Sequence, residues 1–145
     1  MARRMDAVLL GLVDRLVAFC RHVHRKIGTA LRRSQSQRIG RQQAPDGTSY
    51  APRKMPVRDK AGRVKRKKMF AKLRQTKFLK VSASPNEVSV GFMGRVSRIA
   101  RVHQDGLSER VRPRGPRAHY ERRVLLGLTE PDRYLIRNQL LNHLQ

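Results

Sequence analysis

The 145-residue chain has little of what a small protein normally uses to build its interior. It has no tryptophan, aromatic residues make up 5% of it, and its hydrophobic share is 39%. This composition predicts a thin core in the isolated subunit, for which burial between subunits would compensate. Its single cysteine, Cys20, excludes an internal disulfide framework and suits a reducing compartment such as the cytosol.

Acidic residues are also scarce, because 10 Asp and Glu stand against 34 Lys and Arg, a formal net charge of +24. Such a chain repels its own copies and attracts polyanions or acidic protein surfaces. The carboxylates are dispersed, and His22 and His24 are too close in sequence to share a helical face as a metal pair. His103 and Asp105 have no nucleophile or second carboxylate beside them. We therefore expect no enzyme, no metal and no cofactor.

The N-terminal segment is apolar but does not read as a membrane span or a secretory signal, because Asp14 and Arg15 interrupt it. We expect no membrane partner. Apolar residues at steps of three and four predict an amphipathic helix within a helical part over residues 1–42: Leu9, Leu12, Val13, Leu16, Cys20, Val23 and Ile27. We favour packing of this face on the protein's own core, and contact with a partner helix is the alternative.

A basic loop is predicted over residues 45–66. Pro45, Asp46 and Gly47 form a turn signal in which the aspartate can accept hydrogen bonds from nearby backbone amides. Residues 53–74 hold eleven Lys or Arg and one acid, a net charge of +10. We favour contact with DNA or an acidic partner over a merely solvated run, although no spacing typical of base-specific readout is present. The candidate contact residues are Arg63, Lys65, Arg66, Lys67, Lys68, Lys72 and Arg74.

Residues 67–145 are predicted to form an α+β core, so that the whole chain is one domain. The stretch KMFAKLRQTKFL, residues 68–79, suits a short helix with an apolar edge on the core. Alternation over residues 78–92 predicts an antiparallel hairpin, and Pro113 and Pro116 make residues 109–123 an edge or a loop.

Two further helices are expected to flank this small sheet. RVSRIARVHQDG predicts a short helix with Gly106 as its stop and with four residues on one face: Val96, Ile99, Ala100 and His103. Thr129 and Asp132 have the spacing of a capping box that opens a C-terminal helix. The predicted fold class is therefore α+β, with a long N-terminal amphipathic helix, a small antiparallel sheet flanked by short helices, and a C-terminal helix.

Five stretches follow one another along the chain in this order: RRSQSQRI, APDGTSYAPRK, RVKRKKMFAKLR, VGFMGRVSRIARVHQDG and LLGLTEPD. Together they resemble the phage virion morphogenesis family, which includes the tail completion proteins of contractile-tailed temperate phages. The resemblance covers roughly residues 28 to 144. It implies structural roles for the motif residues Pro45, Asp46, Gly47, His103, Gly106, Leu126, Gly127 and Asp132.

The resemblance also implies a function. It points to a non-enzymatic virion protein that completes the head-proximal end of the tail and is assembled in the host cytoplasm. The implied partners are its own copies in a ring, most simply a hexamer, together with the tail tube, the neck or connector proteins, and passing DNA through non-specific contact. A small basic cytosolic nucleic-acid-binding protein is the alternative.

Overall fold

Two small antiparallel hairpins lie between a 39-residue first helix and a 15-residue last helix in the computed structural model, which describes residues 2–54 and 68–144. The predicted α+β class is confirmed. The elements, in chain order, are α1 Ala2–Gly40, β1 Leu79–Ala83, β2 Val88–Phe92, α2 Arg95–Asp105, β3 Ser108–Arg110, β4 Arg117–His119 and α3 Glu130–Leu144.

Helix α1 is covered along its second half and open along its first. Val23, Ile27 and Leu31 are buried against the β1–β2 hairpin and α3. The large apolar side chains between Leu9 and Phe19 are exposed. The predicted packing of this face on the core is therefore correct for the second half and wrong for residues 9–19. Phe19 lies against His143 in the last turn of α3, and no described element covers α1 further toward its N-terminus.

The hairpin predicted near residues 78–92 is confirmed. Strand β1 pairs antiparallel with β2 in a register that places Val81 opposite Val90 and Leu79 opposite Phe92. The backbone N–H of Ser84 donates to the carbonyl of Glu87, which closes the turn. Leu79 is fully buried, so this face of the hairpin forms part of the interior.

Residues 69–78 form consecutive turns, so the short helix predicted there is wrong. Phe70 has a φ of +60°, which an α-helix cannot accommodate. The side chain of Gln42 also bonds to the backbone N–H and the carbonyl of Met69, at 2.8 and 2.9 Å, and replaces the helical partners of both groups. The expected apolar edge is nevertheless present, because Met69, Phe70 and Leu73 pack against the core.

Helix α2 ends as predicted at Gly106, whose φ of 67° is left-handed. Its predicted face is correct for Ala100, which is buried, and wrong for Ile99, which is exposed while Val102 outside that face is buried. The helix is turned so that Gln104 can reach the backbone of residues 125–126. The proline-framed segment after it forms the short β3–β4 ribbon, which pairs with no other described strand and agrees with the edge or loop expected there.

The interior is thin, as the composition predicts. Three large side chains in the described residues are almost completely buried: Ile39, Leu79 and Leu125. The main cluster joins the end of α1 to α2 and to the segment before α3. No helix in the described part of the chain is long and apolar enough to cross a membrane.

We expect Gly28→Ala to destabilise the fold. A methyl group on Gly28 would lie 2.7 Å from Cγ2 of Val88 and nearer still to Val81, so α1 or the hairpin would have to move. Overpacking of this kind costs about 1–3 kcal/mol, against a gain of at most about 1 kcal/mol from better helix propensity.

Gly11→Ala is the matched control, since nothing lies within 4 Å of the added methyl group. It should leave the stability unchanged or raise it by up to about 1 kcal/mol. Urea unfolding, followed by circular dichroism at one protein concentration, measures the stability of both variants. Equal stability of the two variants would contradict the close packing at Gly28.

Candidate functional site

A loop without regular secondary structure, residues 121–129, connects β4 to α3 and is buried at two positions. We call it the clamped loop. Leu125 within it is fully buried and Arg123 is nearly so. Buried backbone N–H and C=O groups that lack a helix or sheet partner must find side-chain partners. In this protein long polar side chains from α1 and α2 supply them.

Arg38 of α1 holds the middle of the clamped loop. One guanidinium nitrogen donates to the carbonyl of Leu125 at 2.8 Å, and the other donates to the carbonyl of Gly127 at 3.1 Å. Gln35, one turn earlier, accepts from Arg38 at 2.6 Å and from the N–H of Gly127 at 3.2 Å. Burial lowers the pKa of Arg38, and Tyr50 and Asp132 oppose that shift. Burial also raises the pKa of Tyr50 to about 12, so Tyr50 is neutral.

Gln104 of α2 holds the same loop from the other side. Its side-chain oxygen accepts from the N–H groups of Leu125 and Leu126 at 2.7 and 3.0 Å. Its side-chain nitrogen donates to the carbonyl of Leu126 at 2.9 Å. One amide thus satisfies three backbone groups and fixes the orientation of α2 relative to the loop.

Asp132 connects the clamped loop to both terminal helices. It is 2% exposed and accepts hydrogen bonds from Ser34 at 2.5 Å and from the N–H of Thr129 at 3.0 Å. Thr129 in turn accepts from the N–H of Asp132 at 3.2 Å, so the predicted capping box is confirmed. Burial raises the pKa of Asp132, but these hydrogen bonds and Arg38 outweigh it and hold the pKa below its ordinary value.

Arg123 ties the start of the clamped loop to the segment before the basic run. It donates to the carbonyls of Ala51 and Pro52 at 2.7 and 2.8 Å. His103 lies beside it, with its ring edge-on to Phe70 at 4.8 Å between centroids and to Tyr120 at 5.1 Å. Burial, and then the charges of Arg123 and Arg53, lower the pKa of His103, so the imidazole is neutral at pH 7.

The remaining motif residues shape turns around this loop. A methyl group on Gly127 would lie 2.6 Å from Cγ of Pro45, so glycine is required for that contact. Asp46 accepts from the N–H of Thr48 at 2.9 Å as predicted, and Gly47 has a φ of 86°. Six of the eight motif residues therefore meet at the clamped loop or against it: Pro45, His103, Gly106, Leu126, Gly127 and Asp132.

Three of the predicted basic contact residues lie in the described part of the chain: Lys68, Lys72 and Arg74. Arg63, Lys65, Arg66 and Lys67 lie outside the described residues. Lys68 and Lys72 are exposed. Arg74 donates to the carbonyl of Ser36 at 3.4 Å, and the Ser36 hydroxyl donates to the carbonyl of Arg74 at 3.1 Å, so this residue also fastens the turns to α1.

A second basic surface lies on the β3–β4 ribbon, which we call the arginine ribbon. Its sequence RVRPRGPR, residues 110–117, has four exposed arginines and no acid: Arg110, Arg112, Arg114 and Arg117. Sequence reasoning treated this stretch as a proline-framed loop and did not select it as a contact surface. The density of arginines was the available signal.

Sequence reasoning also missed the four polar side chains that hold the clamped loop and its start: Gln35, Arg38, Gln104 and Arg123. Gln35, Arg38 and Gln104 do stand within the motif stretches, and Gln35 carried a further signal. The buried positions of α1 follow steps of four through Val23, Ile27, Leu31, Gln35 and Ile39, so a glutamine stands on the buried stripe. A polar residue in such a position indicates a buried hydrogen-bond partner.

Among the described residues no three His, Cys, Asp or Glu side chains are grouped as metal ligands. The polar side chains of the interior bind backbone groups and one another. These features define a small cationic α+β protein whose buried polar groups serve its architecture.

The comparisons with known proteins then identify the family. The sequence profile described as "Phage virion morphogenesis family" matches residues 2–145, so the chain belongs to this family and the resemblance in its motifs is confirmed. The match includes α1, which lies largely before the 28–144 range of the motifs. A similar curated protein is "Tail completion protein S" of Escherichia phage P2, 45% identical over 146 residues, with 99% of this chain and 97% of that protein covered. No solved structure matches the chain.

We expect Asp132→Asn to lower the free energy of unfolding by about 1–3 kcal/mol at pH 7, because an amide cannot replace all the hydrogen bonds that the carboxylate accepts. The folded pKa is below the ordinary 3.8. The carboxylate therefore stabilises the fold above pH 3.8, and this contribution is lost as the pH falls through the folded value.

The difference in the free energy of unfolding between the wild type and Asp132→Asn should accordingly become smaller below pH 3.8. Ser34→Ala, which deletes one donor to the same carboxylate, should show a smaller loss with the same pH dependence. Urea unfolding between pH 7 and pH 2.5 measures all three. A difference that stays constant over that range would contradict an ionised Asp132 in the folded state.

Proposed function

We propose that this protein completes the head-proximal end of a phage tail so that the tail can join a DNA-filled head. The observation that supports the proposal most strongly is the 45% identity, across nearly the whole of both chains, with a protein named for tail completion. In this proposal the protein is a structural component of the virion tail, assembled in the host cytoplasm, and makes or breaks no bonds.

We further propose that it acts as a homo-oligomeric ring, most simply a hexamer, that contacts the tail tube and the neck or connector proteins. The thin core and the exposed apolar side chains of α1 support association of subunits. The hydrogen bonds that hold the clamped loop also support association of subunits. They fix the fold of the subunit, and a rigid subunit can present a fixed surface to its neighbours.

The cationic surface needs more than DNA to neutralise it. Six copies at +24 each would carry a formal charge of +144. A channel roughly 40 Å long would hold about 24 phosphates, at one charge per ~1.7 Å of duplex. We therefore assign part of the charge to acidic surfaces of neighbouring proteins, and the run from Arg63 to Lys68 to either such a neighbour or the DNA path.

A small nucleic-acid-binding protein is the second candidate function, favoured by the arginine ribbon. The two candidates differ in how the free protein binds duplex DNA. A nucleic-acid-binding protein would bind tightly with a steep dependence on salt concentration. A tail component would bind weakly, or only after assembly, and titration of labelled duplex at several salt concentrations distinguishes them.

Phage particles made without this protein should contain normal heads and separate tails with irregular head-proximal ends. Supplying the protein in trans should restore joined particles and infectious titre. Electron microscopy of the lysate and a plaque assay give the readouts. Joined, infectious particles in the absence of the protein would refute the proposed function.

Reversal of the basic run by glutamate at Lys65, Arg66, Lys67 and Lys68 should yield tails that do not join heads. Glutamate at four exposed cations of α1, Arg21, Arg25, Lys26 and Arg33, is the matched control, because it lowers the net charge from +24 by the same eight units to +16. The control should retain most of the infectious titre. Equal titres for the two variants would show that the position of the basic run is unimportant.

A further inference from the structure

The first half of α1 extends beyond the rest of the described molecule. Seven large apolar side chains between residues 9 and 19 are 36–65% exposed: Leu9, Leu10, Leu12, Val13, Leu16, Val17 and Phe19. A methyl group added at Gly11 would meet nothing within 4 Å, so the opposite face of the helix is open as well. We call residues 9–19 the arm.

The spacing of its apolar residues indicates what kind of surface the arm fits. From Leu9 to Val23 the stripe advances by three, four, three and four residues, through Leu12, Leu16 and Phe19. This average of 3.5 residues is the repeat by which helices pack along other helices. From Val23 to Ile39, where the hairpin and the clamped loop cover the helix, the buried positions advance by four instead. The arm therefore has the pattern of a helix that packs on helices.

The apolar area of the arm is in the range that marks an interaction surface. At roughly 60–120 Å² for each of the seven side chains, it amounts to about 400–800 Å². Monomeric proteins rarely expose a contiguous apolar patch larger than a few hundred Å², and a standard interface buries about 800 Å² on each partner.

The distribution of charge favours a second copy of this chain as the occupant. The arm contains one acid, Asp14, and one base, Arg15, so its net charge is zero in a chain of +24. Copies that approach through their cationic bodies repel each other, whereas copies that approach through their arms do not. Identical arms also carry identical 3.5-residue stripes, so each arm supplies the helical partner that the other needs.

Leu10 and Val17 widen the apolar face beyond the seam that two helices share. An arm with this wider face can contact a neighbour on each side. This fits a bundle of three or more arms, with one arm contributed by each subunit.

We propose that the arms of several copies pack side by side as a helical bundle and that this bundle holds the subunits together. The proposal deepens the proposed function, because it rests on the ring assembly assigned there and names the surface through which copies associate. In a ring with rotational symmetry the arms run in the same direction.

The test is sedimentation of the full-length protein as wild type and as two double variants. Leu12→Glu with Leu16→Glu places charge on the stripe, and Gly11→Glu with Ala18→Glu places the same charge on the opposite, open face. All four positions are exposed, so the body should fold in both variants, which circular dichroism checks. We expect oligomers for the wild type and for the open-face variant, and a 16.7 kDa monomer for the stripe variant.

The other outcomes separate this inference from the proposed function. If the stripe variant stays as oligomeric as the wild type, the inference is overturned and the ring assembly stands. A wild type that is monomeric at every concentration overturns the inference, and an arm that is then captured by a purified tail or neck protein has that protein as its occupant. If the wild type assembles through its arm but fails to restore joined particles, the proposed function falls and the inference stands.

Discussion

The donation of two hydrogen bonds from Arg38 to the carbonyls of Leu125 and Gly127 is the interaction on which the architecture depends. No strand of the described residues pairs with the clamped loop, so side chains position it together with one backbone hydrogen bond, from the N–H of Arg123 to the carbonyl of His103. A guanidinium suits this task because it is planar and presents several donors in fixed directions. Once the loop is fixed, Gln104 orients α2, and Asp132 orients α3.

The few acidic residues of the chain include one that is buried in this arrangement and three that pair with arginines at the surface. Asp132 is buried beside Arg38, whereas ion pairs at the surface join Arg98 to Glu109, Arg101 to Asp105 and Arg133 to Glu130. Exposed pairs of this kind contribute little, typically less than about 1 kcal/mol. With 34 cations and 10 acids, most of the positive charge has no counterpart in the chain. That charge is left to salt ions and to anionic surfaces outside the subunit.

Local signals in the sequence predict those parts of the fold that are held by near neighbours. Alternation gives the β1–β2 hairpin, and the spacing of Thr129 and Asp132 gives the start of α3. The same kind of signal fails at residues 69–78, because Gln42, 27 positions earlier, takes over the backbone groups of Met69. Periodicity alone cannot reveal a partner that is distant in sequence.

The candidate site likewise divides into residues that the sequence predicts and residues that it does not. Motif resemblance selects Pro45, Gly127 and Asp132, which lie at or against the clamped loop. It does not single out Arg38 and Gln104, although both stand within motif stretches, because their partners in the loop are backbone atoms with no sequence signature. The apolar stripe of α1 is also a correct pattern with an ambiguous meaning. Its period predicts that one face of α1 is apolar. Which part of that face is covered depends on how far α3 extends along it.

The distance in sequence across the clamp has a consequence for how the chain is made. Ser34 and Asp132 are 98 positions apart, and Arg38 is 87 positions from Leu125. While the ribosome is synthesising the middle of the chain, α1 has been made but its partners have not, and its buried stripe is open to water along its whole length. Closure must wait until Leu125 and Asp132 have been synthesised, so a nascent chain that stalls before them cannot lock its interior.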